Sequence, residues 1–239
     1  MRVEVALTPS LVPEVLAPGT AVVVIDVVRA TSVVCCALAA GARGVTPVAG
    51  VDESRELAGR TGALLVGERG GLPPDGFDLG NSPGDFTTEI CEGREVVLTT
   101  TNGTAAVARC QGAARLLGAC LLNAEATARS LVDQAHDDVL LVCAGSGGHV
   151  AMDDVAAAGC IGGSLALLGG AEPGDGMRVA AAVFDTWKHD LQGLLRRSLS
   201  GRKLADVGLA TDLLDCARVD TIPVVAELDE AGVFRRAGS

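Results

Sequence analysis

The stretch AVVVIDVVRATSVVCCALAAGA, residues 21–42, limits the possible folds more than any other part of the chain. An unbroken Val/Ile run reads as a strand buried on both faces, as in a parallel sheet, and the Ala/Leu-rich run after Ser32 reads as a helix packed against it. Asp26, Arg29, Thr31 and Ser32 therefore fall at the strand's carboxyl end. In open α/β sheets ligands bind at that edge, because the next helix presents unpaired N–H groups and the positive end of its dipole there. The expected guest is an anion.

Two further segments repeat the plan of strand, polar turn and helix: EVVLTTTNGTAAVARCQGAA and DVLLVCAGSGGHVAMDDVAAAG. The first two repeats superimpose without gaps, Asp26 on Thr99 and Thr31 on Thr104, as duplicated βαβ units would. The expected fold is α/β, with layered helices on a mixed, largely parallel sheet. Residues 67–86, GERGGLPPDGFDLGNSPGDF, cannot form a regular element, and an ordered loop of that length is more often functional than idle. TWKHDLQGLLRRSLSGRKLADVG reads as charged helices, and DTIPVVAELDEAGVFRR as a closing strand pair. With no low-complexity linker, residues 1–239 read as one domain.

Composition removes several classes of function. A net charge of −11 without a Lys/Arg cluster argues against nucleic acid. The longest uncharged stretch, Val155 to Ala171, holds five glycines and is too short to span a bilayer, so it reads as buried helix and loop, with no membrane contact. MRVEVALTPSLVPEVL lacks the apolar core of a signal peptide, which places the chain in the cytoplasm by default. Eight cysteines without a CxxC spacing read as reduced thiols packed as small apolar groups. No phosphate-binding GxxxxGK[ST], dinucleotide fingerprint or cysteine-phosphatase spacing is present, and the three histidines lack metal-ligand spacing. A 49% apolar content is compatible with a homodimer.

The polar residues left over point to a small phosphorylated anion. Asp26 could simply cap the next helix, but Arg29 at a helix start opposes the dipole unless a bound anion compensates it. Thr31 and Ser32 add hydroxyls, and can equally serve as ordinary caps. Glu68 and Arg69 are flanked by glycines, which suit close approach of backbone to a ligand. Asn81 lies in a turn that could contact ligand. In TTTNGT the Thr hydroxyls, Thr101 among them, and the amides of Asn102, Gly103 and Thr104 would form a neutral nest for phosphate. Of the adjacent Asp153 and Asp154 only one is expected to face a site, since neighbouring helical residues diverge by roughly 100°. With Asp26 and Glu68 it would suit Mg²⁺, a hard cation that takes oxygen ligands.

Five ordered motifs, VVIDVVRATSVV, GERGG with FDLGNSP, TTTNGTAA, CAGSGGHVAMDDVAAAG and SGRKLADVGLATDLLDCARVDTIPVV, resemble the 2-phosphosulfolactate phosphatase (ComB type) family over residues 20–225. The resemblance implies a Mg²⁺-dependent phosphatase that converts 2-phosphosulfolactate to sulfolactate, a step towards coenzyme M. It implies Asp26, Arg29, Thr31, Glu68, Arg69, Asn81, Thr101, Asn102, Gly103, Thr104 and Asp154 as site residues. The chain departs from the family pattern at Asp153, where Glu is usual, and at His149. The combined expectation is that Asp26, Glu68 and Asp154 ligate the metal, and Arg29 with the Thr101–Thr104 amides clamps phosphate. Arg69 would meet the sulfonate or carboxylate, and water or Asp26 would attack. The rival expectations are a non-catalytic anion-binding protein and a phosphatase for a different phosphorylated hydroxy acid.

Overall fold

The computed structural model describes residues 1–238. In chain order the elements are β1 (Arg2–Ala6), β2 (Ala21–Ile25), α1 (Ala30–Ala39), β3 (Gly44–Pro47), α2 (Val51–Thr61), β4 (Leu64–Gly67) and α3 (Thr88–Cys91). Then follow β5 (Glu95–Thr99), α4 (Gly103–Arg109), β6 (Arg115–Ala119), α5 (Ala124–Asp133), β7 (Asp138–Cys143), α6 (Met152–Gly169) and β8 (Glu172–Pro173). The chain ends with α7 (Asp175–Trp187), α8 (Leu191–Arg197), α9 (Leu199–Asp206), α10 (Asp212–Cys216), β9 (Ala226–Leu228) and β10 (Phe234–Arg236).

The strands form one ten-stranded sheet in the order β4-β5-β3-β10-β9-β6-β2-β7-β1-β8. β4, β5 and β3 are parallel, as are β6, β2, β7, β1 and β8. The late strand pair is found, but in the middle of the sheet. The β9–β10 hairpin pairs antiparallel with β6 on one side and β3 on the other. Three antiparallel junctions make the two parallel blocks run in opposite directions.

Their carboxyl ends nevertheless meet. In a flat sheet β2 and β5, separated by four strands, would lie roughly 24 Å apart at the usual strand spacing. Instead a Cβ placed on Gly103 would stand 2.5 Å from the Ala30 Cβ. The sheet is therefore wrapped, and α1 packs on β3, β6, β9 and β10. Every residue of α1 from Ala30 to Leu38 is buried, which explains a helix with no polar face.

The duplication takes an unforeseen form. The first residues of α1 and α4, Ala30 and Gly103, keep the register of the gapless match. β2–α1–β3 and β5–α4–β6 each begin in one block and end in the other, so the units interlock and their two strands are not parallel neighbours. The segment order β5-β3-β10-β9-β6-β2 reads alike from either end under this exchange.

All eight cysteines are buried free thiols, on helices, on β7 and in the segments after α4 and β6. α6 is the one helix among the described residues long and apolar enough to cross a membrane, yet 61% of it is buried in the protein, where it packs on α5, α7 and α8.

Phe234 is the joint between the blocks. Its backbone pairs with Val45 of β3 and its ring lies 3.3 Å from where a Cβ on Gly118 of β6 would sit. Phe234→Ala should cost about 3–5 kcal/mol of unfolding free energy by lost burial and an unfilled cavity. A denaturant titration with an unchanged m-value checks this; a loss below about 1 kcal/mol would show that the hairpin does not carry the joint.

Candidate active site

A cavity of about 390 Å³ opens where the two sets of carboxyl ends converge. The turn after β2 contributes Asp26 and Arg29, the loop after β4 contributes Glu68, Gly71 and Asn81, and the turn after β5 contributes Thr100, Thr101 and Asn102. The turn after β7 adds Ser146, and α9 adds Ser200, Lys203 and Asp206. The backbone approaches closely here. A Cβ on Gly103 would lie 2.7 Å from Asp26 Oδ2, and one on Gly67 would lie 2.1 Å from the Thr99 carbonyl oxygen. Both positions demand glycine.

Four carboxylates are buried around this convergence: Asp26 and Glu68, which line the cavity, and Asp153 and Asp154 of α6, which do not. They are not equivalent. Glu68 is clamped by amides, Oε1 accepting from Thr101 N and Oε2 from Gly71 N, each at 2.8 Å. Asp154 Oδ1 accepts from Val27 N and Oδ2 from Gly145 N, both at 2.9 Å, which ties the turns after β2 and β7 together. Asp26 Oδ1 accepts from Ala30 N at 3.2 Å, so it does cap α1 while also lining the cavity. Asp153 is fully buried with both oxygens lacking a hydrogen-bond partner.

Burial raises the pKa values of the three aspartates. Burial, reinforced by the Asp153 and Glu68 charges and opposed by the Ala30 amide and the Arg29 charge, lifts Asp26 to about 7. Burial lifts Asp153 to about 6, opposed by its own backbone amide and by the nearby Ser198 and Ser200 hydroxyls, which favour the charged form. Asp154 is pushed far up by burial and by Asp153 and Asp26, against the pull of its two amides.

Several expected roles change. Asp154 spends both oxygens on backbone amides, so the member of the pair with oxygens to offer is Asp153. Arg69 does not line the cavity; its guanidinium donates to the carbonyls of Glu68 and Ala49 and to the Thr99 hydroxyl. Thr31 and Ser32 bond back to the Asp26 and Val27 carbonyls across the β2–α1 turn, as buried hydroxyls must when no ligand reaches them. Two of the four amides after β5 are occupied, Thr101 N by Glu68 and Thr104 N by the Thr100 hydroxyl. Thr104 also bonds to the Thr100 carbonyl, while Gly103 provides closeness rather than a ligand contact. Thr101, Asn102 and Asn81 do line the cavity, and buried Asn81 Oδ1 has no partner.

Arg29 faces the cavity but is held from behind. Its Nη1 donates to Asp212 Oδ2 at 2.7 Å and to Ser82 Oγ at 3.2 Å, and Nη2 donates to the Gly71 carbonyl at 2.6 Å. A guanidinium has five N–H groups, so these three bonds leave two for a guest. Sequence reasoning missed Asp212, whose partner is 183 residues distant, along with Ser146, Lys203 and Asp206. The signal for α9 was its spacing, since Ser200, Lys203 and Leu204 fall on one helical face.

No metal-grade group of three His, Cys, Asp or Glu side chains is preformed among the described residues. Mg²⁺ does not require one, because it keeps several waters and is commonly held by one or two carboxylates together with substrate phosphate. The orphaned Asp153 carboxylate beside Asp26 fits a cation of that kind.

Buried carboxylates, a partly committed arginine and a cavity at converging strand ends make a polar site in an α/β protein, and the relatives of the chain place it in the phosphoric monoester hydrolase class. A family model described as 2-phosphosulpholactate phosphatase matches residues 6–231. A protein of Gloeobacter violaceus named "Probable 2-phosphosulfolactate phosphatase" is 40% identical over 98% of each chain. Proteins of the same name from Thermus thermophilus and Caldanaerobacter subterraneus are 39% and 36% identical, covering 99% and 90% of this chain and 100% and 89% of their own. The chain belongs to the 2-phosphosulfolactate phosphatase family.

The raised carboxyls give stability a sign with pH. Their native pKa values exceed the unfolded ones, so their contribution is full below about pH 4 and is lost as pH rises through 6 and 7. In chelator, unfolding free energy should fall by a few kcal/mol between pH 4 and 8, and Asp26→Asn should flatten that slope. Denaturant titrations across this range check it; equal slopes in the two proteins would contradict it.

Proposed function

We propose that the chain hydrolyses 2-phosphosulfolactate to sulfolactate and phosphate in a Mg²⁺-dependent reaction. The observation that carries the metal is the fully buried, unpartnered Asp153 carboxylate beside Asp26. A pure anion binder has no use for negative charge collected next to its ligand. Asp26 and Asp153 would hold the ion together with substrate phosphate, and when bound it would supply positive charge to the phosphoryl oxygens.

The remaining groups bind and orient. Arg29, held by Asp212, Ser82 and the Gly71 carbonyl, directs its two free N–H groups at phosphate without reorganising during the reaction. Glu68, held by two amides, keeps the loop after β4 fixed against the turn after β5. Asn81, Thr101 and Asn102 offer neutral polar contacts along the cavity wall. Water attacks phosphorus in line with the ester oxygen, the bond between phosphorus and that oxygen breaks while its bond to carbon stays, and a proton lost by the water passes to the leaving oxygen, which becomes the hydroxyl of the product.

Phosphate release from 2-phosphosulfolactate should be abolished by EDTA and restored by Mg²⁺; turnover unchanged in EDTA would remove the metal from the reaction. The two adjacent aspartates separate in a paired test. Asp154→Asn turns an NH₂ towards a backbone N–H and should cost about 1–3 kcal/mol of stability. Asp153→Asn should fold at least as stably at pH 8 and lose activity by 100-fold or more, on the order of one oxyanion-stabilising contact. Denaturation and kinetics of both variants check this; the reverse pattern would restore Asp154 as the ligand.

A further inference from the structure

Lys203 is the cavity's unmatched cation. Arg29 has Asp212 at 2.7 Å, whereas Lys203 forms no ion pair among the described residues and donates only to Ser146 Oγ, at 2.9 Å. Even Asp206, one turn along α9 and on the same cavity, lies outside ion-pair distance. An ammonium has three N–H donors, so two remain for a guest.

The surroundings hold it in place. Ser146 is buried, and its turn is closed by reciprocal backbone bonds between Ser146 and His149. Gly145 adopts φ +67°, and a Cβ there would stand 2.4 Å from the His149 carbonyl oxygen. Gly147 N donates to Asn102 Oδ1 at 3.0 Å, locking this turn to the one after β5. On the other side α9 is braced by the loop after β4, where a Cβ on Gly71 would come within 3.1 Å of Val207. The Ser146 oxygen accepts from Lys203, which leaves its own hydrogen free to donate.

We propose that Lys203 and the Ser146 hydroxyl form a subsite for the sulfonate of the substrate, carried on the carbon next to the one that bears the phosphate. This rests on the phosphatase reading above. The division follows from charge. Carboxylates and a cation with Arg29 suit the phosphate, whereas a lone ammonium with a hydroxyl suits a singly charged oxyanion. Arg69, expected from sequence to take this role, is turned away from the cavity. The subsite makes Lys203 a selectivity residue: it favours esters with a charged tail over those with a neutral one.

The test compares 2-phosphosulfolactate with 2-phospholactate, in which a methyl group replaces the sulfonate-bearing carbon. Lys203→Met should lower the ratio of kcat/KM for the first ester over the second by roughly 10- to 100-fold, the usual effect of one charge-assisted hydrogen bond. The change should fall mainly on KM, because the tail contact is the same in ground and transition states. Lys203→Arg should recover part of the ratio. An unchanged ratio, or equal losses on both esters, would overturn the subsite. Calorimetric titration with sulfolactate separates this from failure of the phosphatase reading. If wild type hydrolyses neither ester yet binds sulfolactate, and Lys203→Met weakens that binding by 10-fold or more, the subsite stands without the reaction; equal binding by both proteins would overturn it.

Discussion

Negative charge held out of water beside more negative charge is the constraint on which this architecture turns. Asp26, Glu68, Asp153 and Asp154 come from the turns after β2 and β4 and from the start of α6, and all four are buried. An isolated buried carboxylate is expensive, so each must be bonded, protonated or matched by a cation. Glu68 and Asp154 are satisfied by two backbone amides each. Asp26 has one amide, and its pKa rises to about 7. Asp153 has no hydrogen-bond partner for either oxygen, and burial lifts its pKa to about 6.

The wrapped sheet creates that constraint. Were the two parallel blocks to run in one direction in a flat sheet, the ends of β2 and β5 would be roughly 24 Å apart and their turns could not share a guest. The β9–β10 hairpin reverses the direction between the blocks, and α1 fills the hollow that the curvature leaves. Small residues let the turns meet: Gly103 passes Asp26, and Gly67 passes Thr99. Protein stability and site assembly are thus coupled, because Asp154 joins two of the turns that line the cavity.

The sequence carried the strand and helix starts well, since unbroken Val/Ile runs and Ala-rich helices leave few other readings. The position of the cavity followed from Asp26, Glu68 and TTTNGT, because strand ends and glycine-flanked charges are local signals. Partner choice was not local. Arg29 reads as free until Asp212 arrives from 183 residues away, and Arg69 reads as a ligand contact until the Ala49 carbonyl and Thr99 hydroxyl claim it. Thr31 and Ser32 could have gone either way, since a hydroxyl near a helix start bonds its own backbone as readily as a ligand. Lys203 was hidden because a lysine on a charged helix looks solvated, and the choice between Asp153 and Asp154 depended on helix rotation, which adjacent residues in sequence do not encode.

The central claim is that the buried carboxylates need a divalent cation, and thermal unfolding at pH 8 across a Mg²⁺ titration measures that need without reference to any substrate. Asp26 and Asp153 are then largely ionised, so ion binding to the native state alone should raise the midpoint progressively, following the logarithm of Mg²⁺ concentration above the dissociation constant. The rise should disappear in Asp153→Asn. A midpoint that ignores Mg²⁺, or rises equally in the variant, would contradict the account.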